Sequence, residues 1–479
     1  MKQIVCDIIK KLDLPGVTFS DVRLTSTDSQ AINFEKGVLK HISTSYNSLA
    51  IGIRVLVNGN WGFAGTDSLK EEVVNRMIKS AIDNARAGSI FRRHKLDLQP
   101  AKPTIGSYHF KPVEDPFLMS DEEKLEYLGK IAKELTLNEK IIYSYIYSIF
   151  YRQYKVYANS EGTFVDTTVY DTNSAMEVMA SDGEQVMSRN YPGHMAARRG
   201  GFEVVRNYDF PSNTGTIIKE AIDLLTAPEI TEERADLIIK GGHLALQIHE
   251  SVGHATEADR ILGMEISYAG KTFIKPEMLG KYRYGSELVN IYSDSTDPRG
   301  IGFHPVDDEG IPGKRVDIIR NGILVNQQTS REVAHELGLE PSSNMKGSFA
   351  NEFPLVRMTN FCLEPGEGTL NDLIKDTEHG YLIDFTKTWS IDDNRNNFQF
   401  TTEIGWKIRE GKIVGIVKEP TYYGITAEFW NSCDRVCGEE EWDYFSTFNC
   451  GKGEPGQAMH LSHGLSPARF KNVIVNVKA

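Results

Sequence analysis

At 479 residues, with 40% hydrophobic and 25% charged side chains, the chain exceeds what one hydrophobic core organises and has none of the bias of a disordered or fibrous polymer. Its 66 Asp and Glu outnumber 53 Lys and Arg, and the resulting net charge of −13 disfavours a nucleic-acid partner. Five unevenly spaced cysteines (Cys6, Cys362, Cys433, Cys437, Cys450) argue against a disulfide framework, and no apolar run nears the roughly 20 residues of a membrane span. A cytoplasmic protein without a membrane partner is expected.

The first residues, MKQIVCDIIKKLDL, interrupt their apolar positions with Asp7, Lys10 and Lys11 and predict an amphipathic helix rather than a signal peptide. From Ala31 to Phe63 apolar residues alternate and close on Lys36-Gly37 and Asn58-Gly59, the signature of hairpins. Ser68 and Glu71 have capping-box spacing ahead of Val74, Met77, Ile78, Ala81, Ile82 and Ala85, a helix that stops near Gly88. A link containing Pro100, Pro103, Pro112 and Pro116 follows, and Ser120 with Glu123 opens a second helix. Residues 141–181 are tyrosine-rich strands turning at Asn159-Ser160-Glu161-Gly162, with the tyrosines serving sheet packing. A helix from about Thr216 to Leu225 precedes the charged linker Glu229 to Arg234, and beyond it lie a strand (Ala235 to Ile239), a Gly241-Gly242 turn and a short helix carrying HLALQIHESVGH. Asn321-Gly322 and Glu410-Gly411 mark further hairpins.

These elements predict an α+β chain. An N-terminal region of mixed helix and antiparallel sheet is followed by a largely antiparallel β C-terminal domain that carries a short metal-binding helix. The expected units are an α+β domain over 1–110, a central α+β segment over 111–228 and a β-rich domain over 229–479.

His249-Glu250-x-x-x-His254 resembles the zincin pattern, two His on a helix with a Glu between them as base, but with one extra spacer. Positions four apart differ by about 40° around an α-helix and positions five apart by about 140°. A regular helix would splay the two rings, so the spacing predicts a π-bulge or a helix that ends near Gly253. A catalytic zinc keeps three protein ligands and an open position. Cys450, in the glycine-flanked Asn449-Cys450-Gly451-Lys452-Gly453, is one candidate for the third, with His460 and His463 as alternatives. Cys433 and Cys437 form a C-x-x-x-C pair with no second pair beside it, a weak pattern for a structural metal.

With its other motifs the sequence resembles the TldD/PmbA family, in its catalytic, TldD-type form. The motifs are HESVGH, Asn159-Ser160-Glu161-Gly162, Asp307-Asp308-Glu309-Gly310 with its Asn321-Gly322 hairpin, Arg357-Met358-Thr359-Asn360 and the tail CGKGEPGQAMHLSHGLSPARF. The likeness spans nearly the whole chain and is weakest near 90–140 and 425–448. It implies a cytoplasmic zinc metallopeptidase with one zinc per chain, held by His249, His254 and Cys450, in which Glu250 activates the zinc-bound water. It implies unfolded or extended peptides as substrates, cut with low sequence specificity, and a homodimer or a heterodimer with a PmbA/TldE-like subunit. A non-enzymatic regulatory protein and a zinc aminopeptidase or amidase stand as alternatives. Asn344 to Ala350 reads as a peptide track or an ordinary loop, and Asp307, Asp308 and Glu309 as an acidic rim, a support for a His ligand or a solvated turn.

Overall fold

Runs of Val, Ile, Tyr, Thr and Phe, broken at Lys36-Gly37 and Asn58-Gly59, favour long strands joined by tight turns. The computed structural model describes residues 1–90, 96, 98–265, 270–453 and 455–477. In it Val17–Glu35 pairs with Val38–Val57, and Asn60–Thr66 adds outside them. Lys36 and Asn58 take φ of 47° and 52° and the glycines after them 74°, the left-handed pair that a two-residue hairpin turn requires. Val17–Glu35 also pairs with the tyrosine-rich Ile141–Asn159, which pairs in turn with Phe164–Ser181. Strands from either side of position 110 therefore share one eight-stranded sheet.

Helices Lys2–Lys11 and Glu71–Gly88 cover one part of this sheet, burying Val5, Ile8, Met77 and Ala81 against Val22 and Ile53. Asp121–Glu134 and Phe210–Leu224 cover another, burying Leu128, Ile131 and Ile217 against Ile146 and Met176.

Four local expectations need correction. The capping box at Ser68 does not form: the helix begins at Glu71 behind Lys70, and the Ser68 hydroxyl, two residues short, accepts from the Lys70 amide at 3.4 Å. The proline-containing link includes a strand, Ile105–His109, parallel to Phe164–Ser181. Its five residues hold no proline, so their N–H groups are free to pair, and being largely exposed they carry no apolar alternation to announce it. The helix expected from Thr216 starts at Phe210 with Pro211 in its first turn, where the missing N–H costs no bond. Gly241 and Gly242 open the HLALQIHESVGH helix itself, Gly241 at φ 60° with no room for a Cβ beside Asp384.

The C-terminal part is largely antiparallel sheet, as expected. Glu233–Ile239, His379–Ile391, Asn397–Arg409, Pro420–Ile425 and Ala468–Val477 pair in a closed circuit, whose one parallel contact joins the first two. A six-stranded sheet stands beside it and ends on the edge strand Asp443–Lys452. The helix Gly241–Ile248 buries Leu244, Ala245 and Ile248 in the core the two share, among Phe400, Tyr422, Phe470 and Leu461.

Asp307, Asp308 and Glu309 are neither a solvated turn nor a support for a metal ligand, because each is only 1% exposed, and Asp308 and Glu309 face cations of the N-terminal sheet. Arg54 meets Asp21 and the Asp308 carbonyl and reaches Glu309 at 3.5 Å, Arg23 meets Asp308 at 3.2 Å, and Lys155 pairs with Asp308. Burial alone would push the Asp308 carboxyl up, but Lys155 and Arg23 outweigh it and hold it well below the carboxylate range. Asp307 has no such cation; burial and Glu309 push it up to about 7, and it accepts from the amides of Glu309, Ile311 and Met345. The motif thus binds the N-terminal sheet to the C-terminal part.

Removing one partner of a buried ion network leaves the others uncompensated, at about 3–5 kcal/mol. Arg54→Met is expected to lower stability to guanidinium by that amount, and adding Asp21→Leu to recover part of it. A single variant as stable as wild type would show that the network does not hold the two parts together.

Candidate metal centre

The helix that starts at Gly241 changes pitch where the sequence inserts its extra spacer. His249–Gly253 forms a single π turn, closed by the His254 amide on the His249 carbonyl, and a short 3₁₀ turn, His254–Thr256, follows. Residues five apart then stand where residues four apart would in an α-helix, and both imidazoles face one point. Side chains take up the carbonyls that the pitch change frees: Tyr284 donates to Ser251 O, Thr256 to Val252 O at 2.9 Å and Gln328 to Gly253 O at 2.7 Å. A Cβ at Gly253 would lie 2.1 Å from Met358 Sδ, so Met358 packs against the turn in the space a side chain there would take.

Cys450 comes to the same point from the edge strand Asp443–Lys452. Its Sγ is 3.3 Å from His249 Nε2 and 3.7 Å from His254 Nε2, and the three donor atoms lie within 4.8 Å of one another. Zinc bonds of about 2.3 Å to sulfur and 2.0–2.1 Å to nitrogen, in a tetrahedron, set those ligands roughly 3.5 Å apart, a value the two distances bracket.

The surrounding hydrogen bonds leave the correct nitrogens free. His463 donates from Nδ1 to the Phe361 carbonyl at 2.9 Å, so its Nε2 is an acceptor and takes the His249 Nδ1 proton at 2.9 Å. His254 donates from Nδ1 to Glu257 at 3.0 Å. Both Nε2 atoms are thereby left as lone pairs beside the sulfur. Burial lowers His249 to about 4 and holds His463 well below its ordinary value, so His249 is neutral as ligation requires and His463 can accept its Nδ1 proton in a hydrogen bond. Burial works against the Cys450 thiolate, but the Arg357 guanidinium and His254 outweigh it and hold the thiol below its ordinary value. Arg357 donates to the Cys450 carbonyl, while its buried Nε and Nη1 have no hydrogen-bond partner among the described residues, which suits a neighbouring thiolate. Glu257 is pushed up by burial but held well below its usual range by Lys452, His254 and Arg260; Arg260 reaches it at 2.7 Å and Lys452 at 3.3 Å. The donor set and its tautomers fit a zinc ion.

Glu250 lines the same cleft, of about 440 Å³, with His249, His254 and Cys450. Its Oε2 accepts from Arg395 Nη1 at 2.6 Å. Of the alternative third ligands, His463 stands one hydrogen bond behind His249, and His460 stacks on Phe448 at 3.9 Å in a different cavity. Cys433 and Cys437 belong to separate apolar cores, and burial pushes each thiol up to about 12. Lys346 to Phe349 border the cavity of His460 rather than this cleft. Sequence reasoning missed Glu257, Arg260, Arg395 and Lys452. Only Glu257, three residues after His254, and Lys452, two after Cys450, stood close enough in sequence to be noticed.

Three family domains match the chain: PmbA/TldA metallopeptidase domain 1 over residues 20–85, the central domain over 114–227 and the C-terminal domain over 232–473. A metalloprotease of Methanocaldococcus jannaschii is 28% identical over 93% of this chain and 94% of its own. A protein of Saccharolobus solfataricus named as a zinc metalloprotease TldD homolog is 24% identical over 98% of both. Among solved structures, a putative modulator of a DNA gyrase from Thermotoga maritima shares the fold with a TM-score of 0.77 at 17% identity, covering 99% of both chains. TldE from Thermococcus kodakarensis does so with 0.73 at 18%, covering 99% of this chain and all of its own.

Loss of a partner behind a ligating His typically costs 10–100-fold in metal affinity. His463→Phe, which keeps a buried ring but removes the acceptor for His249, is expected to weaken zinc binding by that factor in competition with a chromogenic chelator. Unchanged affinity would remove His463 from the support of the site.

Proposed function

The chain belongs to the PmbA/TldD family of metallopeptidases, and from that membership and the convergence of His249, His254 and Cys450 we propose that it is a catalytic, TldD-type member: a zinc-dependent peptidase with one ion per chain. His249 and His254 would hold the ion through Nε2 and Cys450 through its thiolate. When bound, it would acidify water and polarise a scissile carbonyl. Glu250 takes the proton of the attacking water and delivers it to the leaving amine. Arg395, 2.6 Å from Glu250, fixes the carboxylate in the cleft wall. Tyr284, Thr256 and Gln328 keep the π turn, and with it the spacing of the two imidazoles, in place.

The proposed substrates are unfolded or extended peptides taken with little sequence preference. Supporting this, Thr447, Asn449, Cys450 and Gly451 lie both in the cleft wall and on the last strand of its sheet. An extended peptide can add main-chain hydrogen bonds along such an edge. The same proposal includes a cytoplasmic protein that pairs with a second copy or with a PmbA/TldE-like subunit and uses no nucleic acid. Among the described residues no helix is long and apolar enough to cross a membrane.

Glu250→Gln is expected to keep its zinc while cleavage of unfolded casein falls about 10²–10⁴-fold, the usual loss for a general base. Cys450→Ser is expected to lose both metal and activity. A Glu250→Gln protein of wild-type activity would exclude Glu250 as the base. Cleavage of peptides with free but not with acetylated N-termini would replace the reading by an aminopeptidase.

A further inference from the structure

The strand pair that carries Cys450 also borders a second cavity. Met459, the cross-strand partner of Cys450, lines it together with Ala458 and His460. Its volume is about 140 Å³. The opposite walls are the central strands of the N-terminal sheet and the segment Lys346 to Phe349.

The charges in these walls do not balance. Lys155, Arg199 and Lys346 line the cavity against a single lining carboxylate, Asp171. Lys155 is neutralised by Asp308, and Arg199 lies 3.0 Å from Asp171, which also takes His460 Nδ1 at 3.1 Å. Lys346 reaches only the His460 carbonyl, at 3.3 Å, and among the described residues no carboxylate is within ion-pair distance of its ammonium. Burial and the neighbouring Lys155 lower Lys346 to about 8 against the weaker opposing pull of Asp308 and Asp171. His304, in the same wall, donates from Nε2 to Ser343, which leaves Nδ1 a buried acceptor without a partner among the described residues. Tyr151, Val306 and Phe303 complete an apolar lining, and Phe349, 44% exposed, stands at its solvent side.

We infer that this cavity binds a small apolar N-acylated amino acid through its carboxylate, the chemistry of a peptide's C-terminal residue. Lys346 holds the carboxylate, His304 Nδ1 accepts the amide N–H, and the apolar wall takes the side chain. The ligand is either a free acylated amino acid or the end of a longer peptide. Binding needs no metal, so it stands or falls separately from the peptidase assignment.

Isothermal titration of the full-length protein with N-acetylleucine and with N-acetylleucinamide tests this, before and after treatment with a chelator, because a carboxylate could also bind an ion held by Cys450. The acid is expected to bind and the amide to bind about tenfold or more weakly, as the loss of a charged hydrogen bond predicts. Chelation is expected to change neither. Lys346→Met is expected to lose the acid by a similar factor, and Lys346→Arg, which keeps the charge, to retain it. A pentapeptide ending in free leucine that competes with the acid identifies a chain end as the ligand; one that does not, while the acid still binds, identifies the free acylated amino acid. Equal binding of acid and amide, no binding of either, loss of binding on chelation, or wild-type affinity in Lys346→Met would each overturn the inference.

Discussion

Two imidazoles five residues apart meet at one point here because the backbone between them gains a residue in its turn, and the rest of the site follows from how that gain is stabilised. A π turn is intrinsically poor: it shifts hydrogen bonds from i+4 to i+5 and leaves carbonyls without their usual partners. Here Tyr284 and Gln328 supply missing donors from elsewhere in the fold and Thr256 from the turn that follows, and Gly253 leaves room for Met358 to pack against the turn. The turn is therefore held by tertiary contacts rather than by helix propensity. With the imidazoles placed, the chain from Phe361 through His463 to His249, and the contact of His254 with Glu257, set which nitrogen of each ring is free.

Charge is handled differently at the two places where it is most deeply buried. Around Cys450, whose thiol is held below its ordinary value, the carboxylates of Glu257 and Asp259 meet the cations Arg357, Arg260 and Lys452. At the junction of the two parts of the molecule, Asp308 and Glu309 meet Arg23, Arg54 and Lys155 through contacts that span 153 to 285 residues of sequence. Buried pairs of this kind contribute little net stability, but breaking one is costly, so they fix a single arrangement of the parts that border the metal cleft.

Much of this was legible in the sequence, for local reasons. Asn-Gly and Glu-Gly turns, the tyrosine-rich alternation of residues 141–181 and the helical spacing from Val74 to Ala85 are each encoded within a few residues. The extra spacer between His249 and His254 pointed, through geometry alone, to a π-bulge or a helix end near Gly253, and a π turn is what forms. What stayed hidden depends on distant partners. Asp307 to Glu309 leaves an acidic rim, a support for a His ligand and a solvated turn all open, because the cations that make the burial of Asp308 and Glu309 possible lie far away in sequence. Arg395 is 145 residues from Glu250, and nothing beside it announces the contact. His463, a reasonable ligand by composition, sits one hydrogen bond too far out, a distinction only the folded hairpin settles. The strand Ile105–His109 joins its neighbour through main-chain bonds that require no apolar pattern.

The central claim is that one thiolate and two imidazoles from three separate positions hold a zinc ion. X-ray absorption at the zinc edge of the purified protein tests it most directly. The account predicts one sulfur at about 2.3 Å and two imidazole nitrogens at about 2.0–2.1 Å, with a light-atom fourth ligand, and loss of the sulfur shell in Cys450→Ser. A shell without sulfur, or a sulfur shell that survives Cys450→Ser, would contradict it.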